Sequence, residues 1–154
     1  MDFSKLERGE VIAMVGGAIL AIGLFLPWYK TGNANSMLTD SIRGADKTGT
    51  AWEVHTIMRY FLLAGAAAPT ILAWIIIREH KLSWPRGELT AVVGITALTL
   101  VLVRGLIFKP GDPTGQIHIS YGWFVAVIGA ALILVGAAWR SSEVQKARKA
   151  QGTI

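Results

Sequence analysis

The sequence predicts an all-helical integral membrane protein, a four-helix bundle with both termini on the cytoplasmic side. Three observations carry that prediction: four long apolar stretches with almost no charge, short polar connections rich in helix breakers, and an uneven distribution of lysine and arginine. Hydrophobic residues fill 53% of the 154 positions and charged residues 16%, where a soluble domain carries roughly 25% charged residues. A chain this short and this apolar lacks the polar groups to cover itself in water, and a bilayer removes that need. Its length accommodates a single domain.

The first span covers residues 11–29, which hold no charged side chain. At 1.5 Å per residue such a helix extends about 28 Å, close to the thickness of the hydrocarbon core. The second span covers 53–77 and contains Arg59 and the kink-prone Pro69. The third covers 89–108 with Arg104 as its one charge, and the fourth covers 119–139 with none. Outer loops are expected at 30–52 and 109–118, a cytoplasmic loop at 78–88 and a basic cytoplasmic tail at 140–154. The run Pro110-Gly111-Asp112-Pro113-Thr114-Gly115 stops any helix entering it. These apolar runs are too long for strands and lack the alternation of a membrane barrel.

Orientation follows from the basic residues. Lys5, Arg8, Arg78, Lys81, Arg86, Arg140, Lys146, Arg148 and Lys149 lie in the N-terminal segment, the middle loop and the tail, against four in the other two loops. By the positive-inside rule both termini face the cytoplasm. The net charge of +5 is then accounted for by topology and by anionic lipid beside the tail, and gives no argument for a nucleic-acid partner. Trp28, Tyr29, Trp52, Tyr121 and Trp123 at the outer ends and Trp74, Trp84 and Trp139 at the inner ends are expected as interface anchors.

Helices meet in lipid through small residues that let backbones approach. Three stripes have the required spacing: Ala13, Gly17 and Ala21 on the first helix, Ala64 and Ala68 on the second, and Gly122, Ala126 and Ala130 on the fourth. They are expected to pack the bundle or to join it to other copies.

Arg59 and Arg104 are the sharpest chemical features, because an arginine at the bilayer centre costs about 2.5 to 3.5 kcal/mol on insertion scales. Both fall in the outer half of the membrane. On a continuous second helix Trp52, His55 and Arg59 share a face, with Glu53 nearby, while His118 and Tyr121 open the fourth. These residues define a candidate outward-facing pocket for a phosphate or carboxylate. The competing expectation is structural: Arg59 pairs with Glu53 or Asp112, and Arg104 reaches the headgroups.

Other chemistries have little to stand on. The chain has no cysteine, which excludes disulfides, thiolate metal sites and thiol redox chemistry. His55, His118, Glu53 and Asp112 show no tight ligand spacing, so neither a metal nor a cofactor is expected. There is no Gly-x-Ser-x-Gly and no phosphate-cradling glycine loop.

Leu26-Pro27-Trp28-Tyr29 at the end of the first span, Ala51-Trp52-Glu53 before the second, Leu102-Val103-Arg104-Gly105-Leu106-Ile107 running to Pro110-Gly111, and Tyr121-Gly122-Trp123 opening the fourth stand in a distinctive order. This ordered set resembles an uncharacterised family of small four-helix membrane proteins of actinobacteria and their high-GC relatives. The resemblance implies a multi-pass protein of the bacterial plasma membrane and marks Arg104 as a recurring feature. It implies no reaction. Members carry an acidic residue early in the second helix, where this chain has Arg59. The function expected is therefore that of a non-catalytic tetraspan, an accessory, scaffolding or oligomerising component of a membrane complex. The alternatives are a lipid- or anion-binding or transport module built on Arg59 and Arg104, and a membrane enzyme acting on a lipophilic substrate. Expected partners are membrane lipids and a second copy or a larger membrane assembly.

Overall fold

The computed structural model describes residues 6–78 and 86–151. Helix α1 (Arg8–Phe25) begins where the Glu7 backbone N–H donates to Glu10 Oε2 at 3.1 Å, which satisfies a donor the first turn leaves unpaired. It ends at Phe25 because the residue before a proline is driven out of the helical region; Leu26 is extended, with φ −87° and ψ 154°. Pro27–Thr31 then forms strand β1. The first helix thus stops short of the expected boundary at 29, and Trp28 and Tyr29 belong to a sheet.

Strands β2 (Met37–Thr39) and β3 (Ile42–Arg43) pair as a hairpin, and β4 (Thr48–Thr50) leads into the one-turn helix α2 (Ala51–Val54). Helix α3 (Met58–Ile77) contains Pro69. Helix α4 (Arg86–Leu102) continues through a π-helical turn, Val103–Ile107. After a 3-10 turn at Thr114–Gln116 comes strand β5 (Ile117–Ile119), and helix α5 (Tyr121–Gln151) carries the fourth span beyond 139 into the tail. Among the described residues, four helices are long and apolar enough to cross a membrane: Arg8–Phe25, Met58–Ile77, Gly87–Ile107 and Tyr121–Lys146.

The chain is mostly helical as expected, but all-α needs correcting. β1 sits between β4 and β5 in an antiparallel three-stranded sheet, with Tyr29 opposite Gly49 on one side and Ile119 on the other. The physical reason is backbone pairing: peptide groups that leave a helix end still need partners, and Trp-Tyr-Lys-Thr and Ile-His-Ile favour pleated backbone. This sheet ties both expected outer loops into one cap over the end of the bundle.

The bundle is closed most extensively between α1 and α5. Gly9, Gly16 and Gly23 recur every seven residues on α1, and Gly122, Gly129 and Gly136 do so on α5. The two ladders face each other antiparallel. A Cβ at Gly9 would lie 2.6 Å from the Gly136 carbonyl oxygen, one at Gly16 would lie 2.7 Å from that of Gly129, and one at Gly122 would lie 2.6 Å from that of Pro27. No side chain fits in such gaps, so the interface is backbone against backbone. A seven-residue period keeps one seam in register when the helices coil left-handedly. Ala126 and Ala130 are buried along it, and Ala13 packs against Gly136. Gly17 instead turns to α3, where it meets the Ala66 carbonyl, and Ala21 packs partly buried on the core. On α3 the residues turned inward are Leu62, Ala66, Pro69 and Ala73, whereas Ala64 is exposed and Ala68 partly so. The expected α3 stripe therefore packs against nothing in the core.

Candidate functional site

The cap end gathers the polar and aromatic residues. Trp28 and Tyr29 are 0% exposed and Trp123 is 6% exposed, so these three are core residues and the expectation that they anchor the interface is corrected. Their polar tips bond to backbone: Trp28 Nε1 donates to Gly23 O at 2.8 Å, on the last turn of α1, and Trp123 Nε1 donates to Val101 O at 2.9 Å. Trp52 stacks on Phe25 with ring centroids 5.2 Å apart. Tyr121, Trp74 and Trp139 are exposed, and Trp84 lies outside the described residues.

The second span does not form one helix. Thr50 and Glu53 make a capping box in which the Thr50 N–H donates to Glu53 Oε2 at 2.9 Å and the Glu53 N–H donates to Thr50 Oγ1 at 3.2 Å. That starts α2, but His55 is extended (φ −110°, ψ 95°) and breaks the helix before α3 begins. The single face expected for Trp52, His55 and Arg59 is broken: Arg59 still lies over the Trp52 ring, while His55 turns away from both. Glu53 stays exposed and serves the cap.

His55 turns inward. Its ring lies edge-on to Trp28 and to Tyr29, with centroids 5.9 and 5.7 Å away, and Nε2 is 3.1 Å from the Tyr29 hydroxyl. The Tyr29 hydroxyl also lies 3.2 Å from the Arg104 carbonyl oxygen. A carbonyl only accepts, so the tyrosine donates there and must accept from His55, which assigns the proton to Nε2. Nδ1 is buried and has no hydrogen-bond partner among the described residues. Burial holds the imidazole pKa down at about 4, and the Arg104 charge pushes the same way. Burial also raises the Tyr29 phenol above its ordinary value, against the opposing pull of Arg104. Both groups are therefore neutral at pH 7.

Arg104 reaches this position through the π-helical turn. There the Phe108 N–H bonds back to Val103 O at 2.9 Å, five residues earlier, a widening of the helix that frequently occurs at functional sites. Gly105 lies against the Trp123 indole, a contact any side chain would block. The half-buried Arg104 lines an open cavity of about 490 Å³ together with residues 106–109, Thr114 and Gly115. Among the described residues no carboxylate pairs with it.

Arg59 behaves differently. Its guanidinium donates to Trp52 O at 3.0 Å and to the Tyr60 hydroxyl at 3.1 Å, and lies 5.0 and 4.9 Å from the Trp52 and Tyr60 ring centroids. It is taken up by α2 and its own helix, so neither Glu53 nor Asp112 is its ion-pair partner and it does not line the Arg104 cavity. His118 is exposed on β5, with Nε2 near Gly32, and Tyr121 is exposed at the start of α5. Of the residues expected to form one pocket, the structure brings His55 and Arg104 together and leaves Arg59, Glu53, His118 and Tyr121 elsewhere. Lys109 and Thr114 also line the cavity and were not expected there; Lys109 lies five positions after Arg104, just beyond the π-helical turn.

At the opposite end Arg140 and Glu10 are each 9% exposed and form a buried ion pair, with Glu7 Oε2 4.0 Å from Arg140 Nε. Arg140 thus leaves the expected solvated tail and closes the α1/α5 seam. Glu10 follows Gly9, and Arg140 lies one turn after Gly136, which was the readable signal.

No protein-family model, curated protein or solved structure matches this chain.

Proposed function

We propose that this protein is a non-catalytic, multi-pass protein of the bacterial plasma membrane, with both termini in the cytoplasm, acting as an accessory or scaffolding component of a larger membrane assembly or of a homo-oligomer. The observation that carries this reading is the cap: β1 pairs with both β4 and β5, so two loops that would otherwise move independently present one fixed surface. From it the β2–β3 hairpin offers exposed Asp40, Ser41 and Arg43. Beneath it Trp28, Tyr29 and Trp123 spend their polar groups on internal bonds, which is support for a structural role rather than a reactive one. The basic flanks favour cytoplasmic termini, and the motif resemblance favours a bacterial membrane.

Native mass spectrometry of the protein gently extracted from its own membrane tests the reading. A reproducible protein partner or a defined homo-oligomer is expected, weakened when residues 37–43 are replaced by a short Gly-Ser turn. A monomer without any partner across several mild detergents would overturn it.

A further inference from the structure

Arg104 brings a positive charge to the cap end of the third span with no acidic partner among the described residues. An arginine at membrane depth is costly unless an anion meets it, and the phosphate geometry matches its forked donors. Lys109 and the Thr114 hydroxyl line the same open cavity. Beside these cations Leu106, Ile107 and Phe108 are 57%, 68% and 61% exposed, so cationic and apolar surface adjoin.

A second feature lies on the same helix. α3 and α4 meet over a smaller interface than α1 shares with α5 and leave an apolar cleft of about 310 Å³ whose walls include Ala64, Gly65, Ala68, Val93, Ala97 and Leu100. Val93, Ala97 and Leu100 succeed one another at spacings of four and three along α4, so one face carries the cleft wall, and Arg104 follows one turn further on at the start of the π-helical turn. Cleft length chooses the occupant. From Val92 to Leu100 the helix rises about 12 Å and to Arg104 about 18 Å, close to one leaflet's hydrocarbon depth of about 15 Å. A spanning helix from a second chain needs about 30 Å of groove, whereas one acyl chain beneath its headgroup needs about half of that.

We propose that the cap end of α4 is a binding site for an anionic phospholipid, with Arg104 and Lys109 on the headgroup phosphate and an acyl chain in the α3/α4 cleft. This goes beyond the scaffolding reading and rests only on the helices lying in a bilayer. Carbonate-resistant membrane association, scored separately on the same protein, tests that premise without reference to lipid preference.

The experiment is native mass spectrometry of the purified full chain titrated with palmitoyl-oleoyl phosphatidylglycerol or the matching phosphatidylcholine. One retained phosphatidylglycerol is expected, in preference to phosphatidylcholine. Retention should fall about tenfold in Arg104→Gln and in Lys109→Gln, as for loss of one charge-assisted contact. Ala64→Leu, which fills the cleft without changing charge, should also reduce it, while Arg59→Gln should not. Lys109 lies outside the helices, so Lys109→Gln decides the matter if Arg104→Gln fails to fold. Equal retention of the two lipids, or retention indifferent to Lys109→Gln and Ala64→Leu, would overturn the proposal. Displacement of phosphatidylglycerol by millimolar inorganic phosphate, with Ala64→Leu silent, would replace the lipid by a free anion.

Discussion

On the α1/α5 side of the bundle, glycines at every seventh position bring two backbones together until a methyl group no longer fits; on the α3/α4 side, Ala64 and Ala68 stand four apart and pack against nothing in the core. Both are small-residue patterns of the kind that lets membrane helices approach. The difference lies in period and partner. A heptad ladder on one helix finds an antiparallel heptad ladder on the other, whereas beside the α3 stripe α4 lines a cleft with Val92, Val93, Thr96 and Leu100. Small residues facing each other at the same level let the α1 and α5 backbones meet.

The largest effect is expected where the tight seam ends in charge. Removing one member of a buried ion pair strands the other, at about 3 to 5 kcal/mol, so Arg140→Leu should lower the unfolding free energy in detergent by about that much, read from chemical denaturation. Next comes the ladder itself. Gly129→Val places carbon against the Leu20 and Gly16 backbones, and overpacking of this kind costs about 1 to 3 kcal/mol; a lowered melting temperature is the readout.

The pH response sharpens the contrast between cap and seam. His55 has a folded-state pKa of about 4 against 6.5 for the free side chain. The unfolded chain therefore binds the extra proton first as pH falls, and stability is full above 6.5, declines toward 4 and levels off below it. The His55 contribution approaches a slope of about 1.4 kcal/mol per pH unit in that window. His55→Phe should remove that slope, measured as the difference between wild-type and variant unfolding curves from pH 7 to pH 4. The smallest effect belongs to the open side: Ala64→Leu adds bulk to an exposed face and should change stability by no more than about 0.5 kcal/mol.

Much of the architecture was legible because it depends on composition over long windows: four apolar helices survive any local detail. The cap was not, because Pro27 ends a helix through a purely local clash, and the path of the chain beyond it is decided by pairing between segments distant in sequence, such as Tyr29 with Ile119. The same local event moved Trp28 and Tyr29 from interface to core. Arg104 was recognisable as unusual from its charge in an apolar run. Lys109, which lines the same cavity, was hidden because it stands beyond the helix, where helical spacing no longer tells which side chains are neighbours. Arg59 misled for the opposite reason: a continuous helix was assumed across His55, where the chain breaks. The Glu10–Arg140 pair escaped notice because both residues sit at span ends, where charges are ordinarily solvated.

The central claim, that these helices span a membrane with the cap outside and the termini inside, is open to a direct measurement. The chain contains no cysteine, so Ser41→Cys on the exposed hairpin and Gln145→Cys on exposed α5 each provide a unique thiol. An impermeant maleimide applied to intact cells should label the cysteine at position 41 and spare that at 145 until the membrane is permeabilised. Labelling of both from outside, or the reverse pattern, would contradict the account.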